Sequence, residues 1–131
     1  MIRFESAGLA AIFLLSGACA WAGDFDGSKP LLCATIDGHA CDPGLACERA
    51  LPADLGAPRF LSIDFTKKII SGPNRATPIV SMSKAQGQIL MQGTELDFAW
   101  TVALDTSDGE ITLTLTNRHD ALVLFGDCTA M

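Results

Sequence analysis

The sequence predicts an all-β domain: a small antiparallel meander of about seven or eight short strands that closes as a barrel or a sandwich and carries two disulfides. Apolar and polar residues alternate along several short segments, and turn-forming residues separate these segments. No segment after residue 22 repeats its apolar residues at the 3.6-residue period of an amphipathic helix. The third observation is an even number of cysteines in the predicted mature chain, because small exported domains use disulfides to support a modest core.

Residues 1–22 have the composition of a secretory signal peptide. Arg3 gives a basic start, an apolar run follows from Leu9 to Leu15, and the small-residue motif Ala-Trp-Ala precedes the predicted cleavage site before Gly23. The segment is too short and too interrupted to match the roughly 20 apolar residues of a transmembrane helix. We therefore expect no stable membrane insertion after cleavage, and a periplasmic or secreted location for the mature chain.

Cys19 raises the alternative of a lipoprotein, because bacterial lipoproteins are cut just before a cysteine. The preceding residues, Ser16-Gly17-Ala18, lack the leucine that such a site normally has at the first position. We place Cys19 in the discarded signal. The remaining chain, residues 23–131, is long enough for one domain and too short for two.

Four cysteines remain, and in a small exported domain they predict two disulfides among three possible pairings: Cys33, Cys41, Cys47 and Cys128. We expect Cys41 to pair with Cys47, because Pro43-Gly44 between them suits a tight reversal of the chain. We expect Cys33 to pair with Cys128, a bridge that ties the first strand to the last where the barrel closes.

A zinc site made by the first three cysteines and His39 is the alternative use of these thiols. Its cysteines are separated by seven and five intervening residues, which matches no common zinc knuckle. An oxidising compartment also works against free thiolates. The sequence therefore predicts disulfides, with neither a metal nor a cofactor.

The first half of the mature chain supplies short predicted strands separated by turn residues. In chain order they cover residues 31–36, 59–65, 68–71, 77–83 and 88–93. The second of these alternates most clearly, with Leu61, Ile63 and Phe65 on one face and Ser62 and Asp64 on the other.

The strongest strand signal begins at Leu96. Every second residue from there is large and apolar, the set being Leu96, Phe98, Trp100, Val102 and Leu104. The motif Thr-Ser-Asp-Gly then predicts a hairpin turn, and Ile111, Leu113 and Leu115 alternate with threonines. A final strand is predicted from Ala121 to about Cys128. We expect Phe98 and Trp100 to lie in the core.

Four phrases carry a resemblance to known proteins: FDGSKPLLCA after the signal, FLSIDFTKKIISG, a QG before an aromatic strand, and FGDCT near the end. With them the chain resembles small exported proteobacterial proteins of unknown function, over residues 25–34, 60–72, 92–100 and 125–129. That resemblance implies no activity. The predicted architecture is also similar to exported barrels that inhibit lysozyme, although the chain lacks their Ser-x-x-Gly-x-Lys/Arg-Tyr type of loop and contains no tyrosine.

The acidic charge is concentrated in the C-terminal part of the chain. Residues 23–93 contain equal numbers of acidic and basic residues, whereas residues 94–131 contain seven acidic residues against Arg118 alone. This distribution argues against nucleic acid and anionic membranes as partners. Its simplest use is solubility, and its use as a binding face is the functional alternative.

The sequence favours an exported binding or inhibitor-type module that docks a basic exported protein on this acidic face. We predict the partner-binding residues on outward strand positions and the connecting turn: Glu95, Asp97, Asp105, Asp108 and Glu110. Two alternatives remain open. The barrel would carry a small molecule or a lipid if it encloses a cavity near Trp100. It would be a hydrolase if a cleft joins His39 or His119, the two histidines of the chain, to two carboxylates.

Overall fold

The computed structural model describes residues 23–131, and the predicted signal peptide lies outside this range. The described chain forms ten β-strands and no helix: β1 (Leu31–Cys41), β2 (Glu48–Ala50), β3 (Phe60–Asp64), β4 (Ile69–Ser71), β5 (Ala76–Pro78), β6 (Ser81–Ala85), β7 (Gln88–Glu95), β8 (Phe98–Asp105), β9 (Glu110–Thr116) and β10 (Ala121–Ala130). The predicted all-β class is confirmed. Within the same range, no helix is long and apolar enough to cross a membrane.

The strands form one antiparallel sheet that curls into a half-barrel. Its order is β5-β4-β3-β1-β10-β9-β8-β7-β6, and β2 pairs with β1 next to β3. Strands β5 and β6 stand at opposite ends of this order, yet only Ile79 and Val80 connect them. The sheet therefore has to curl so that its two edges approach each other.

Hydrogen bonds around this connection hold the two edges together. The amide of Ile79 donates to the carbonyl oxygen of Lys68 at 2.8 Å, and the amide of Val80 donates to the carbonyl oxygen of Gln92 at 2.8 Å. The hydroxyl of Thr77 donates to the carbonyl oxygen of Thr94 at 2.9 Å. The β5 end of the sheet is thereby fixed against β7.

Both predicted disulfide pairings are confirmed. The expected position of Cys33–Cys128 at the closure is wrong, because β1 and β10 are neighbours in the middle of the sheet order and the two sheet edges approach each other at β5 and β7. Cys33 and Cys128 are bonded and lie directly opposite each other in the β1–β10 ladder, which joins the first long strand to the last. Cys41 and Cys47 are bonded across the β1–β2 hairpin. Gly44, between them, has φ of +77°, a conformation that glycine adopts without steric cost.

The core lies on the concave side of the half-barrel and follows the predicted alternation. Fully buried inward side chains come from strands on both sides of the curl: Leu31, Ile63, Ile89, Met91, Val102, Leu104 and Leu124. Many outward positions are polar or small, as in the threonines of β9, although Leu32 and Leu90 also face outward. Burial of one face thus explains the period-two pattern.

The described chain has ten strands rather than the predicted seven or eight, and three details of the sequence prediction are wrong. The predicted strand 77–83 is two strands, because the chain bends at Ile79-Val80 to pass from one sheet edge to the other, and β2 was not predicted. Leu96 does not belong to the inward row that begins at Phe98. It lies in the β7–β8 turn with φ of 54° and is 75% exposed.

Candidate functional site

The half-barrel contains an apolar cavity of about 1,020 Å³. Pockets for small molecules typically have roughly 300–1,000 Å³, so this volume suffices for one ligand of ordinary size. The cavity occupies the end of the half-barrel at which β3, β8 and β10 begin. Its depth comes from the curl of the sheet, because the walls belong to strands far apart in the sheet order.

Two groups of strands supply the walls. Leu61 of β3 and Ile70 of β4 line one side. On the other side, Trp100, Leu115 and Leu122 occupy adjacent register positions on β8, β9 and β10. The segment between β2 and β3 contributes further lining, and its Leu55 and Ala57 pack on the buried core. The interior surface is therefore mostly apolar, although Ser62, Ser71 and Thr77 also line it.

Trp100 is the one large aromatic side chain that is both buried and part of the cavity wall. Its side chain is 4% exposed, and within residues 23–131 no group accepts a hydrogen bond from its buried Nε1. A buried donor without an acceptor costs about 1–3 kcal/mol.

Gly93 makes this position of the indole possible. It is the register partner of Trp100 in the β7–β8 ladder. A Cβ at residue 93 would lie 2.7 Å from Trp100 Cε2, well inside the 3.5–4.0 Å or so at which carbon atoms pack. Glycine lets the ring lie directly on the backbone of β7.

The mouth of the cavity carries the charges. Arg59, Arg75 and Glu95 are its charged lining residues, and the exposed side chains of Phe60 and Leu96 stand beside them. Arg75 Nη1 donates to Glu95 Oε1 at 3.5 Å. No ion pair involves Arg59 within the described part of the chain. The lining thus has more positive than negative charge, although the whole chain has a formal net charge of −6.

The five predicted partner-binding residues fall into two separate groups. Glu95 and Asp97 lie at the β7–β8 turn, whereas Asp105, Asp108 and Glu110 lie at the β8–β9 turn. The length of β8, roughly 24 Å at about 3.4 Å per residue, separates these turns. The structure therefore does not bring the five residues together, because they belong to turns at opposite ends of one strand. Their role in binding a partner stays a prediction.

The second group joins a carboxylate that the prediction omitted. Asp127 of β10 is the register partner of Glu110, and Asp105 ends β8 next to the Leu104–Ile111 pair, so three exposed carboxylates stand on neighbouring strands. They line a groove of about 450 Å³ together with Asp37 and the exposed Phe125. Hydrogen bonds from Ser107 hold the pKa of Asp105 below its usual range.

Neither histidine joins a cleft with carboxylates. His39 lies in β1 with its ring 6.3 Å from that of Phe125, in an edge-to-face arrangement. His119 lies in the β9–β10 turn, and its Nε2 accepts a hydrogen bond from Arg118 Nε at 2.8 Å. Neither lines the cavity or the groove.

The three cysteines of the alternative zinc site, Cys33, Cys41 and Cys47, are all bonded in the two disulfides. Among residues 23–131 no group of three or more histidine, cysteine, aspartate or glutamate side chains is arranged to hold a metal ion.

Comparisons of the chain with protein-family models, curated proteins and solved structures found no match. The architectural likeness to lysozyme-inhibiting barrels stays a prediction.

Arg59 and Arg75 were not predicted as site residues. Arg59 begins the predicted strand 59–65, whose alternation carries no signal for a site, and Arg75 lies between β4 and β5. The β3–β4 pairing places both at one end of the sheet, and the curl of the sheet brings Glu95 to the same cavity. Trp100 lies in the buried core as predicted and also lines the cavity. Phe98 was expected in the core, but it is only half-buried and lines the cavity.

Proposed function

We propose that the domain binds a small apolar molecule in the cavity of the half-barrel. The observation that carries the proposal is the cavity of about 1,020 Å³ with Trp100 in its wall. A preformed, apolar concave site with a few polar groups at its edge is the usual form of a small-molecule site. The sequence favoured docking of a basic protein over binding of a small molecule. We reverse that preference because the predicted acidic residues lie in two separate groups and the half-barrel contains a cavity.

Binding would draw its free energy from apolar surface removed from water. Each buried methylene contributes about 0.8 kcal/mol, and Leu115, Leu122 and Trp100 present one continuous row for such contact. The two disulfides and the edge hydrogen bonds keep the walls in place before a ligand arrives. A preorganised site loses less free energy on binding to ordering its own groups.

A neutral fluorescent probe, N-phenyl-1-naphthylamine, tests this proposal in the mature domain. We expect the probe to bind with enhanced emission. The variant Leu115→Glu places a carboxylate in the apolar wall and should weaken probe binding at least tenfold. Thr116→Glu is the matched control, because Thr116 is the next residue of β9, is exposed and does not line the cavity.

Circular dichroism and urea unfolding should show that both variants are folded before binding is compared. No binding of the probe to the wild-type domain would refute the proposal. Equal binding to the wild type and to Leu115→Glu would place the probe elsewhere and would refute it too.

A second function, docking of a basic exported protein, is favoured by the row formed by Asp105, Glu110 and Asp127. Carboxylates on neighbouring strands stand about 5 Å apart, and their repulsion is relieved when a cationic side chain binds between them. Phe125 and Ile36 line the same groove and are 41% and 57% exposed, which adds apolar surface for the stem of a lysine or arginine.

A further inference from the structure

The charges at the cavity mouth bear on the chemistry of the ligand, and this inference rests on the proposed function. The charged lining residues are two arginines and one glutamate. All three lie at the mouth, whereas the interior wall from Trp100 to Leu122 is hydrocarbon apart from the indole nitrogen. The site is therefore polar and locally cationic at one end and apolar along its depth.

The existing partner of Arg75 is weakly held. A single nitrogen–oxygen contact of 3.5 Å joins its guanidinium to Glu95, and the two side chains are 57% and 32% exposed. Exposed ion pairs of this kind contribute little to stability. An incoming anion that offers two oxygen atoms can replace Glu95, because guanidinium binds carboxylate and phosphate groups through two parallel hydrogen bonds.

We propose that the ligand is a single-chain amphiphile with an anionic head. Its chain lies against Trp100, Leu115 and Leu122, and its head pairs with Arg75 at the mouth, where Arg59 adds positive charge. The exposed apolar side chains Phe60 and Leu96 flank the first part of the chain. The head group is a carboxylate or a phosphate, since both match the planar donors of arginine.

Displacement of N-phenyl-1-naphthylamine from the mature domain tests the head group. The competitors are dodecanoate, dodecyl phosphate and dodecan-1-ol, which share one chain length and are each used below the concentration at which they aggregate. We expect the better of the two anions to bind about tenfold more tightly than the alcohol. The ratio of dodecanoate to dodecyl phosphate affinity identifies which anionic head the mouth prefers.

Two variants at the mouth should shift this preference in opposite directions. Arg75→Gln should lower the affinity for the preferred anion about tenfold, to near that of the alcohol. Glu95→Gln removes the competing carboxylate and should raise the affinity for the anion by a factor of about two to five. Lys67→Gln is the control for loss of one positive charge, because Lys67 lies in the β3–β4 turn at the far end of β3 from the mouth.

The outcomes separate this inference from the proposed function. If the neutral probe binds but the anions bind no better than dodecan-1-ol, the cavity is a ligand site and the anionic head is refuted. An unchanged anion affinity in Arg75→Gln would also refute it. If neither the probe nor any competitor binds, both the function and the inference fail.

Discussion

Gly93 and Trp100 face each other across the β7–β8 ladder, and the indole ring of Trp100 covers the backbone of Gly93. A Cβ at residue 93 would meet this ring and would lie 2.8 Å from the carbonyl oxygen of Pro78. Neither the ring nor the backbone of β5 can move away cheaply, because β5 is tied to β7 at Thr77. One small residue thus sets the position of the aromatic wall of the cavity.

Gly93→Ala should therefore destabilise the domain by about 1–3 kcal/mol, as overpacking of a filled site does. Urea unfolding measures this change. Trp100 is the single tryptophan of the predicted mature chain, so its emission should also move to longer wavelength as the ring is displaced. Gly72→Ala is the control: its Cβ would make only ordinary contacts, the nearest at 3.6 Å. Equal stability and emission for Gly93→Ala and the wild type would show that the ring does not depend on this glycine.

The two disulfides should differ in their contribution to stability. They close loops with sequence separations of 95 and 6 residues. In the chain-entropy model, removing Cys33–Cys128 by a double alanine substitution should cost about 4.7 kcal/mol, and removing Cys41–Cys47 should cost about 2.4 kcal/mol. Urea unfolding of the two double variants gives the comparison. A larger loss for the short loop would mean that strain in the native state outweighs loop entropy.

The pair of Asp37 and Arg49 should make stability depend on acid pH. The hydrogen bond from Arg49 Nε to Asp37 Oδ1, at 2.9 Å, holds the pKa of Asp37 below its usual range. Because the folded pKa is lowered, this stabilisation is present above the unfolded pKa of about 3.9 and is lost as pH falls through the folded pKa. Arg49→Met should raise the pKa of Asp37, measured by NMR titration, and its stability should converge with that of the wild type below about pH 4.

Lys67→Met removes one positive charge from an exposed turn and serves as the control for this titration. The pKa of Asp37 should remain lowered in this variant. A lowered pKa of Asp37 that survives Arg49→Met would assign the shift to another contact, such as the amide of Gly38, which donates to the same oxygen.

Docking of a basic protein on the groove should be fast and sensitive to salt, because exposed charges act mainly through long-range attraction over roughly 8–10 Å. The test is association with lysozyme and other basic exported proteins at low and high salt. The variant combining Asp105→Asn, Glu110→Gln and Asp127→Asn should lose association. The matched control neutralises three carboxylates outside the groove: Asp42, Asp54 and Glu48. A partner that binds both triple variants equally well would leave the acidic row as a solubility feature.

The parts of the fold that depend on local pattern were predictable. The alternation along β8 and β9 identified the inward face, and Pro43-Gly44 indicated the short disulfide loop. Strands of three residues, such as β2 and β5, are too short to show a period. The predicted strand wrongly included Leu96, because an alternating pattern does not mark the residue at which the chain reverses direction.

The candidate site depends on contacts that no local pattern records. Arg75 and Trp100 belong to different halves of the sheet order and meet at one cavity only because the sheet curls. Glu110 and Asp127 are adjacent because β9 and β10 adopt one particular register. Composition alone indicated an acidic C-terminal region. It could not show that the acidic residues lie in two groups, because that depends on the two turns at opposite ends of β8.

The indole N–H resonance of Trp100 tests the central claim most directly, because the predicted mature chain contains one tryptophan and therefore one such signal. In an NMR titration of the ¹⁵N,¹³C-labelled domain with dodecanoate or dodecan-1-ol, this resonance and the methyl groups of Leu115 and Leu122 should shift together and saturate. The backbone amides of Asp105 and Asp127 should stay unchanged. Shifts confined to the outer face, or a Trp100 signal that does not move at saturating ligand, would contradict the assignment of the cavity as a binding site.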